Sequence, residues 1–351
     1  MLRDERTGAQ IWQLTSAPCI SHAPYFLSPA WAGRNHDLLV ITSYRGGGPD
    51  LYGVRLPAGE LVRLTAGGDV SPWSACAAPD GRRIYFTAGA QLRALDVETR
   101  EEIVLANLPP SSWLGNCSVR PDGTEVITTV RRGPVNALVA FRTDTGAART
   151  LYETPHLLAH AQWSPDGQAV LFASDLPRMW LVDADGRHPR PLREQSPHEW
   201  LVHEAWLTND EVSFTHWPHA LKSIRRDGGG ERTIAAFNAW HPAPRRDGTL
   251  IVCDTTLPDL GLQLVDPASG RRRTLCYPGA SSQGTQWSKP EPYWGDPSEP
   301  VPDTVYGPQW THPHPSFTPD GRGVVYTSDA TGFPQVYLAW VDPCLDPTVS
   351  P

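Results

Sequence analysis

The sequence predicts an all-β chain of a single fold, a seven-bladed β-propeller with four-stranded blades. Three observations carry that prediction. The tripeptide PDG begins at Pro79, Pro121, Pro165 and Pro319, each time followed by a β-rich run: RRIYFTAG, TEVITTV, QAVLFASD and RGVVYTSD. Degenerate copies fill the gaps, AGRNHDLLVITSY near residue 33, LTNDEVSF near 208 and RRDGTLIVCD near 246, making seven. Each copy then carries a polar turn and another strand, as in LDVETREEIVL, FRTDTGAARTLY, LVDADGRHPRPL and LVDPASGRRRTL. The first three PDG turns are 42 and 44 residues apart, so one unit has room for about four short strands, the signature of a propeller blade. Frequent punctuation by 36 Pro and 30 Gly also favours short strands and turns over long helices.

Taken in order, blades one to six each hold a complete unit. The seventh stops at QVYLAWVD without its last strand. The N-terminal stretch DERTGAQIWQLT has the pattern of those missing outer strands. It is expected to complete the last blade and close the ring, which removes two exposed sheet edges. The chain therefore reads as one domain over residues 1–351, with a Pro- and Trp-rich insertion at 278–308 placed as a loop over the channel mouth.

Composition narrows the function. The net charge is −8, and no block of Lys or Arg points to nucleic acid or an anionic membrane. An acidic ligand would need a local cationic site. No run of about 18 apolar residues is present, and the start, MLRDERTGAQIW, is charged from residue 3 without a signal-type apolar core. The six cysteines form no CxxC pair and read as reduced thiols of a cytoplasmic protein.

The repeat gives the histidines a common position. His160, His241 and His314 each lie six residues before the Asp of their turn (Asp166, Asp247, Asp320), and His203 lies six before Asn209. These belong to blades four to seven. In QWTHPHPSF, His312 precedes His314 by two residues, so both point the same way on an extended segment. Pro313 and Pro315 cannot donate to a sheet ladder, which places that segment at the innermost strand or just before it. A single histidine there is most simply a packed core residue. Four in one register, with His312 and Gln309 beside them, suit a divalent ion of the Mn, Fe, Co, Ni or Zn group. Trp163, Trp206, Trp240 and Trp310 lie near these histidines, either stacking on a ligand or, more commonly for such rings, packing between blades. HEWLVH has one residue too many for HExxH, the glycine runs lack GK[ST], and GxSxG does not occur.

These residues carry a resemblance. QWTHPHPSFTPDGRGVVYTSDATGFPQVYLA looks like the final blade of the oligogalacturonate lyases, seven-bladed propeller enzymes of pectin degradation. Weaker likeness extends through IWQLTSAPCISHAPYF, LLAHAQWSPDG, RMWLVDADG, LVHEAWLTNDEVSF and HPAPRRDG. The resemblance implies a manganese-type divalent ion held by His241, Gln309, His312 and His314, a catalytic base at His203, and a substrate-binding arginine at Arg178. It further implies an acidic oligosaccharide substrate, cleaved by β-elimination after removal of the C5 proton. His160, in the same register, is a candidate substrate contact or a structural residue. The segment before RMW and the one after His241 are shorter than the family pattern. Two competing readings remain, the same chemistry on a different uronide and a non-catalytic propeller scaffold.

Overall fold

The computed structural model describes residues 1–28, 30–256, 258–282 and 309–348; most of the 278–308 insertion lies outside them. The described residues form seven antiparallel sheets and carry no α-helix, the fold class of a seven-bladed β-propeller with four-stranded blades. They group into two compact units, one of Met1–Phe26 with Gln195–Pro351 and one of Leu27–Glu194.

The second unit holds blades one to four. Blade one runs Trp31–Ala32, Leu38–Ser43, Asp50–Arg55 and Glu60–Arg63; blade two runs Cys76–Ala77, Arg83–Ala88, Gln91–Asp96 and Glu102–Asn107. Blade three pairs Ser118–Val119, Glu125–Arg132, Val135–Arg142 and Ala148–Thr154, with an extra strand Ser112–Leu114 on the end of Glu125–Arg132. Blade four runs Ala159–Trp163, Ala169–Ala173, Met179–Asp183 and Arg190–Pro191.

The four PDG turns do the same local work. The Asp carboxylate accepts the amide two residues on, Arg82 N–H to Asp80 at 2.9 Å, Thr124 to Asp122 at 3.0 Å, Gln168 to Asp166 at 3.0 Å and Arg322 to Asp320 at 3.1 Å. The glycine takes a left-handed φ, 70° at Gly81. There a Cβ would stand 2.4 Å from the Gly33 carbonyl of blade one, so only glycine fits. After the turn, the central strands of blades two to five deliver large side chains to the core. Phe86, Phe141, Phe172 and Phe214 are among the largest fully buried groups, each contributing roughly 1.5–3 kcal/mol by leaving water.

The first unit holds blades five to seven. Blade five runs Trp200–Trp206, Glu211–Trp217, Ala220–Arg225 and Arg232–Ala235; blade six runs Ala243–Pro244, Ile251–Cys253, Leu262–Val265 and Arg272–Cys276. The last sheet has the order Leu2–Arg3, Gln10–Gln13, Gln335–Trp340, Gly323–Ser328, Ser316–Phe317. The N-terminal segment thus completes blade seven, with Ile11 opposite Ala339 and Gln13 opposite Tyr337. A strap follows. Leu14 N–H donates to the Val336 carbonyl at 2.8 Å, Ser21 N–H to Pro334 at 2.9 Å, and Ala23 N–H to Thr327 Oγ1 at 2.9 Å.

Candidate metal centre

The histidine segment of blade seven lies just before its strand. Gln309–Thr311 is a 3₁₀ turn and pairing begins at Ser316. The two prolines therefore lie outside the ladder, where their missing N–H is harmless. Thr327 N–H of the neighbouring strand reaches the Pro313 carbonyl at 2.9 Å and fixes this stretch.

Three of the four register histidines share one backbone device. His160, His203 and His314 have positive φ, 54°, 56° and 43°. At His160 the ladder slips between Ala159 and Gln162, and at His203 between Val202 and Ala205. These are β-bulges, which turn one side chain out of the normal alternation. A non-glycine residue in the left-handed region costs about 1–2 kcal/mol and persists only where its surroundings impose it. His241 is held differently. Its N–H donates to Asp254 Oδ1 at 2.7 Å, and its Nδ1 lies 2.8 Å from Asp254 Oδ2.

These elements bring His241, His312 and His314 together. One ring nitrogen from each lies within 4.8 Å of the other two, and all three residues are buried. The His203 ring stands beside them, 4.3 Å from the His241 ring, while His241 and His314 are 4.2 Å apart by ring centroid. Gln309 is placed at the 3₁₀ turn that leads into His312; its side chain is outside the described residues.

Two residues unsuspected from the sequence complete the centre. Asp254 is buried and binds His241 twice, and the backbone amide of His314 also reaches it. Burial pushes its carboxyl up to about 7 against those hydrogen bonds. A signal for it was present: Asp254 stands seven residues after Asp247, where Thr87, Thr129 and Thr327 stand after their own turn aspartates. Phe26, at the end of the strap, packs its ring 5.7 Å from His203, 5.1 Å from His241 and 6.2 Å from His314.

Behind His203 sits an aromatic wall. Trp240 meets its ring edge-on at 4.4 Å, and Trp200 and Trp217 pack on Trp240 at 5.8 and 5.9 Å. Trp163, Trp206 and Trp240 are all buried, so they serve packing rather than sugar stacking; Trp310 is half-buried.

The donor set fits a divalent ion. Imidazole nitrogens converge from two blades, and one is oriented through its second ring nitrogen by a buried carboxylate, the usual support of a metal-bound histidine. His160 and Arg178 lie in the other unit. Arg178 Nη2 is 3.2 Å from His160 Nδ1, and both residues are half-buried. Ser174 N–H to the Arg178 carbonyl at 2.7 Å closes the turn that presents the guanidinium.

No family model matches the chain. The oligogalacturonate lyase of Dickeya dadantii is 25% identical to it over 384 aligned positions, covering 97% of this chain and 95% of that protein. The solved structure of an oligogalacturonate lyase in complex with manganese superimposes with a TM-score of 0.84 at 22% identity, covering 98% of this chain and 96% of the other. The oligogalacturonate lyase of Vibrio parahaemolyticus gives 0.82 at 22% identity, with 98% and 97% covered. The resemblance to oligogalacturonate lyases thus extends over nearly the whole chain, and the solved structures share its fold.

Proposed function

We propose that the chain is a metal-dependent carbon–oxygen lyase that cleaves short uronic-acid oligosaccharides, oligogalacturonate and digalacturonate among them, by β-elimination. The observation that carries this reading is the convergence of three buried imidazoles with a fourth, His203, set against them. The full-length similarity to proteins named oligogalacturonate lyase supports the substrate class. His241, His312 and His314, with Gln309, would hold the ion, and the manganese in a similar structure makes Mn²⁺ the first candidate.

The difficulty in the reaction is the C5 proton of the uronate, because its removal adds negative charge beside a carboxylate. A bound divalent ion supplies opposing charge at that carboxylate. His203 accepts the proton on a ring nitrogen; the C5–H electron pair becomes the C4–C5 double bond, and the C4–O bond breaks. The leaving oxygen takes a proton and ends as a hydroxyl. Phe26 and Trp240 both meet the His203 ring edge-on and help hold it in one orientation, which is what proton transfer over a hydrogen-bond distance requires. Arg178 is assigned as the guanidinium that pairs with a substrate carboxylate, a contact suited to two parallel hydrogen bonds. His160, hydrogen-bonded to it, orients that guanidinium and meets substrate beside it.

Incubation with digalacturonate and Mn²⁺ is expected to yield an unsaturated or keto-deoxy uronate, with loss of product after chelation. Absence of divalent-metal binding at any concentration would sink the reading. Bound metal without turnover of digalacturonate would move it to another uronide.

A further inference from the structure

Blade three differs from its neighbours in length. Its two central strands, Glu125–Arg132 and Val135–Arg142, have eight residues each, and Ser112–Leu114 pairs on the end of the first. The register aligns one row across three strands at that end, with Trp113 opposite Arg131 and Arg131 opposite Asn136. Trp113 is 53% exposed, and it is the one tryptophan among the exposed large hydrophobic residues described. The Arg131 guanidinium lies over its ring, 5.7 Å from the centroid.

The charges at this end are unlike those below it. Arg142 pairs with Asp144 at 2.6 Å and Arg149 with Glu125 at 2.7 Å, and Arg120 also faces Glu125. Arg131 and the adjacent Arg132 are exposed and have no carboxylate partner among the described residues. In a chain of net charge −8, two unneutralised guanidinia beside a half-exposed indole form a local cationic spot.

The row also faces somewhere specific. Side chains alternate across a strand, so Arg131 shares its face with Ile127, and Asn136 shares its face with Leu138 and Ala140. That face packs against Trp163, Val170 and Phe172 of blade four. The row lies at the end of blade three where its second strand turns into its third; the corresponding turn of blade four, between Ala169–Ala173 and Met179–Asp183, bears Leu176, 43% exposed, and Arg178.

We propose that Trp113, Arg131 and Asn136, with Arg132 beside them, form a second uronate-binding subsite. It takes a sugar of a longer acidic oligosaccharide beyond the unit held at Arg178. The chemistry matches group by group: an indole offers an apolar face to the C–H side of a sugar ring, a guanidinium pairs with the carboxylate, and an amide bonds the hydroxyls. The subsite rests on the uronide reading above for its ligand, and it acts on chain-length preference rather than on bond cleavage.

The test is kinetic and calorimetric. For Trp113→Ala and Arg131→Ala, the ratio of kcat/KM for tetragalacturonate to that for digalacturonate is expected to fall roughly tenfold, about one good contact. Unfolding midpoints should stay at the wild-type value, since these side chains are exposed. Titration calorimetry of tetragalacturonate without added metal should show the same roughly tenfold loss of affinity. An unchanged ratio together with unchanged affinity would overturn the subsite. So would a wild-type protein that binds no tetragalacturonate. If wild-type protein turns over neither sugar yet loses tetragalacturonate affinity on Trp113→Ala, the lyase reading fails and the subsite stands.

Discussion

His203 and His160 sit at the same repeat position, in the same bulge, with φ of 56° and 54°, yet their surroundings have little in common. His203 is buried, boxed by Phe26, Trp240 and the His241 ring. His160 is half-buried and contacts the Arg178 guanidinium. The backbone device turns an imidazole out of the sheet in both places. What that imidazole can do is decided by what packs on it. Beside three convergent nitrogens the role we propose for it is proton transfer; beside a guanidinium, it is to orient a charge.

This contrast can be broken most sharply at His203. Replacement by Ala should lower kcat by about 10²–10⁴, the usual worth of a general base, while Mn²⁺ affinity stays measurable by calorimetry. Equal loss of metal and turnover would make His203 a ligand rather than the base. A third environment, that of His22 in the strap, gives the next effect. Its imidazole is buried, and burial lowers its pKa to about 4. The unfolded chain takes up that proton near 6.5 but the native one resists until about 4. Stability is therefore fully present above the upper value and is lost as pH falls toward the lower, by up to about 3 kcal/mol. Denaturant titrations at several pH values check it: in that window His22→Leu should lack this loss, so that its stability relative to wild type rises by up to about 3 kcal/mol as the pH falls toward 4.

Asp254 tests whether the buried cluster depends on its carboxylate. Asp254→Asn keeps the shape but weakens the acceptor for His241, and should cost about 10–100-fold in Mn²⁺ affinity, read by calorimetry. No change would mean that the strands alone orient His241. The smallest effect concerns the bulge itself. At His160, Ala keeps a Cβ in a left-handed backbone whereas Gly does not, so His160→Ala should be less stable than His160→Gly by about 1 kcal/mol. If Ala is the more stable of the two, the bulge relaxes without cost, and the shared device is not imposed by the blade.

Much of this architecture was legible because it repeats. The PDG turns, the polar turns and the missing last strand of blade seven are local chemistry written seven times, and each fell where the periodicity placed it. The register of His160, His203, His241 and His314 was legible for the same reason. Asp254 was half legible, as an acid where other blades carry threonine. Phe26 was not, because it arrives on a strap outside the repeat, nearly the length of the chain away from His314. Nor did periodicity show that His241 would be held by a carboxylate and His160 and His203 by bulges. Trp163, Trp206 and Trp240 needed burial to be sorted from sugar platforms, and the exposed Trp113 needed its cross-strand neighbours.

By itself, the sequence determined the number of blades, the strand that completes the last one, and the one position in each blade where an imidazole could recur. Those follow from turn chemistry and side-chain alternation, which act over a few residues. Only the tertiary structure decided which imidazoles meet, which ring covers them and which guanidinia stay unpaired. Those depend on packing between segments far apart in the chain, where burial and close approach, rather than local preference, set the outcome.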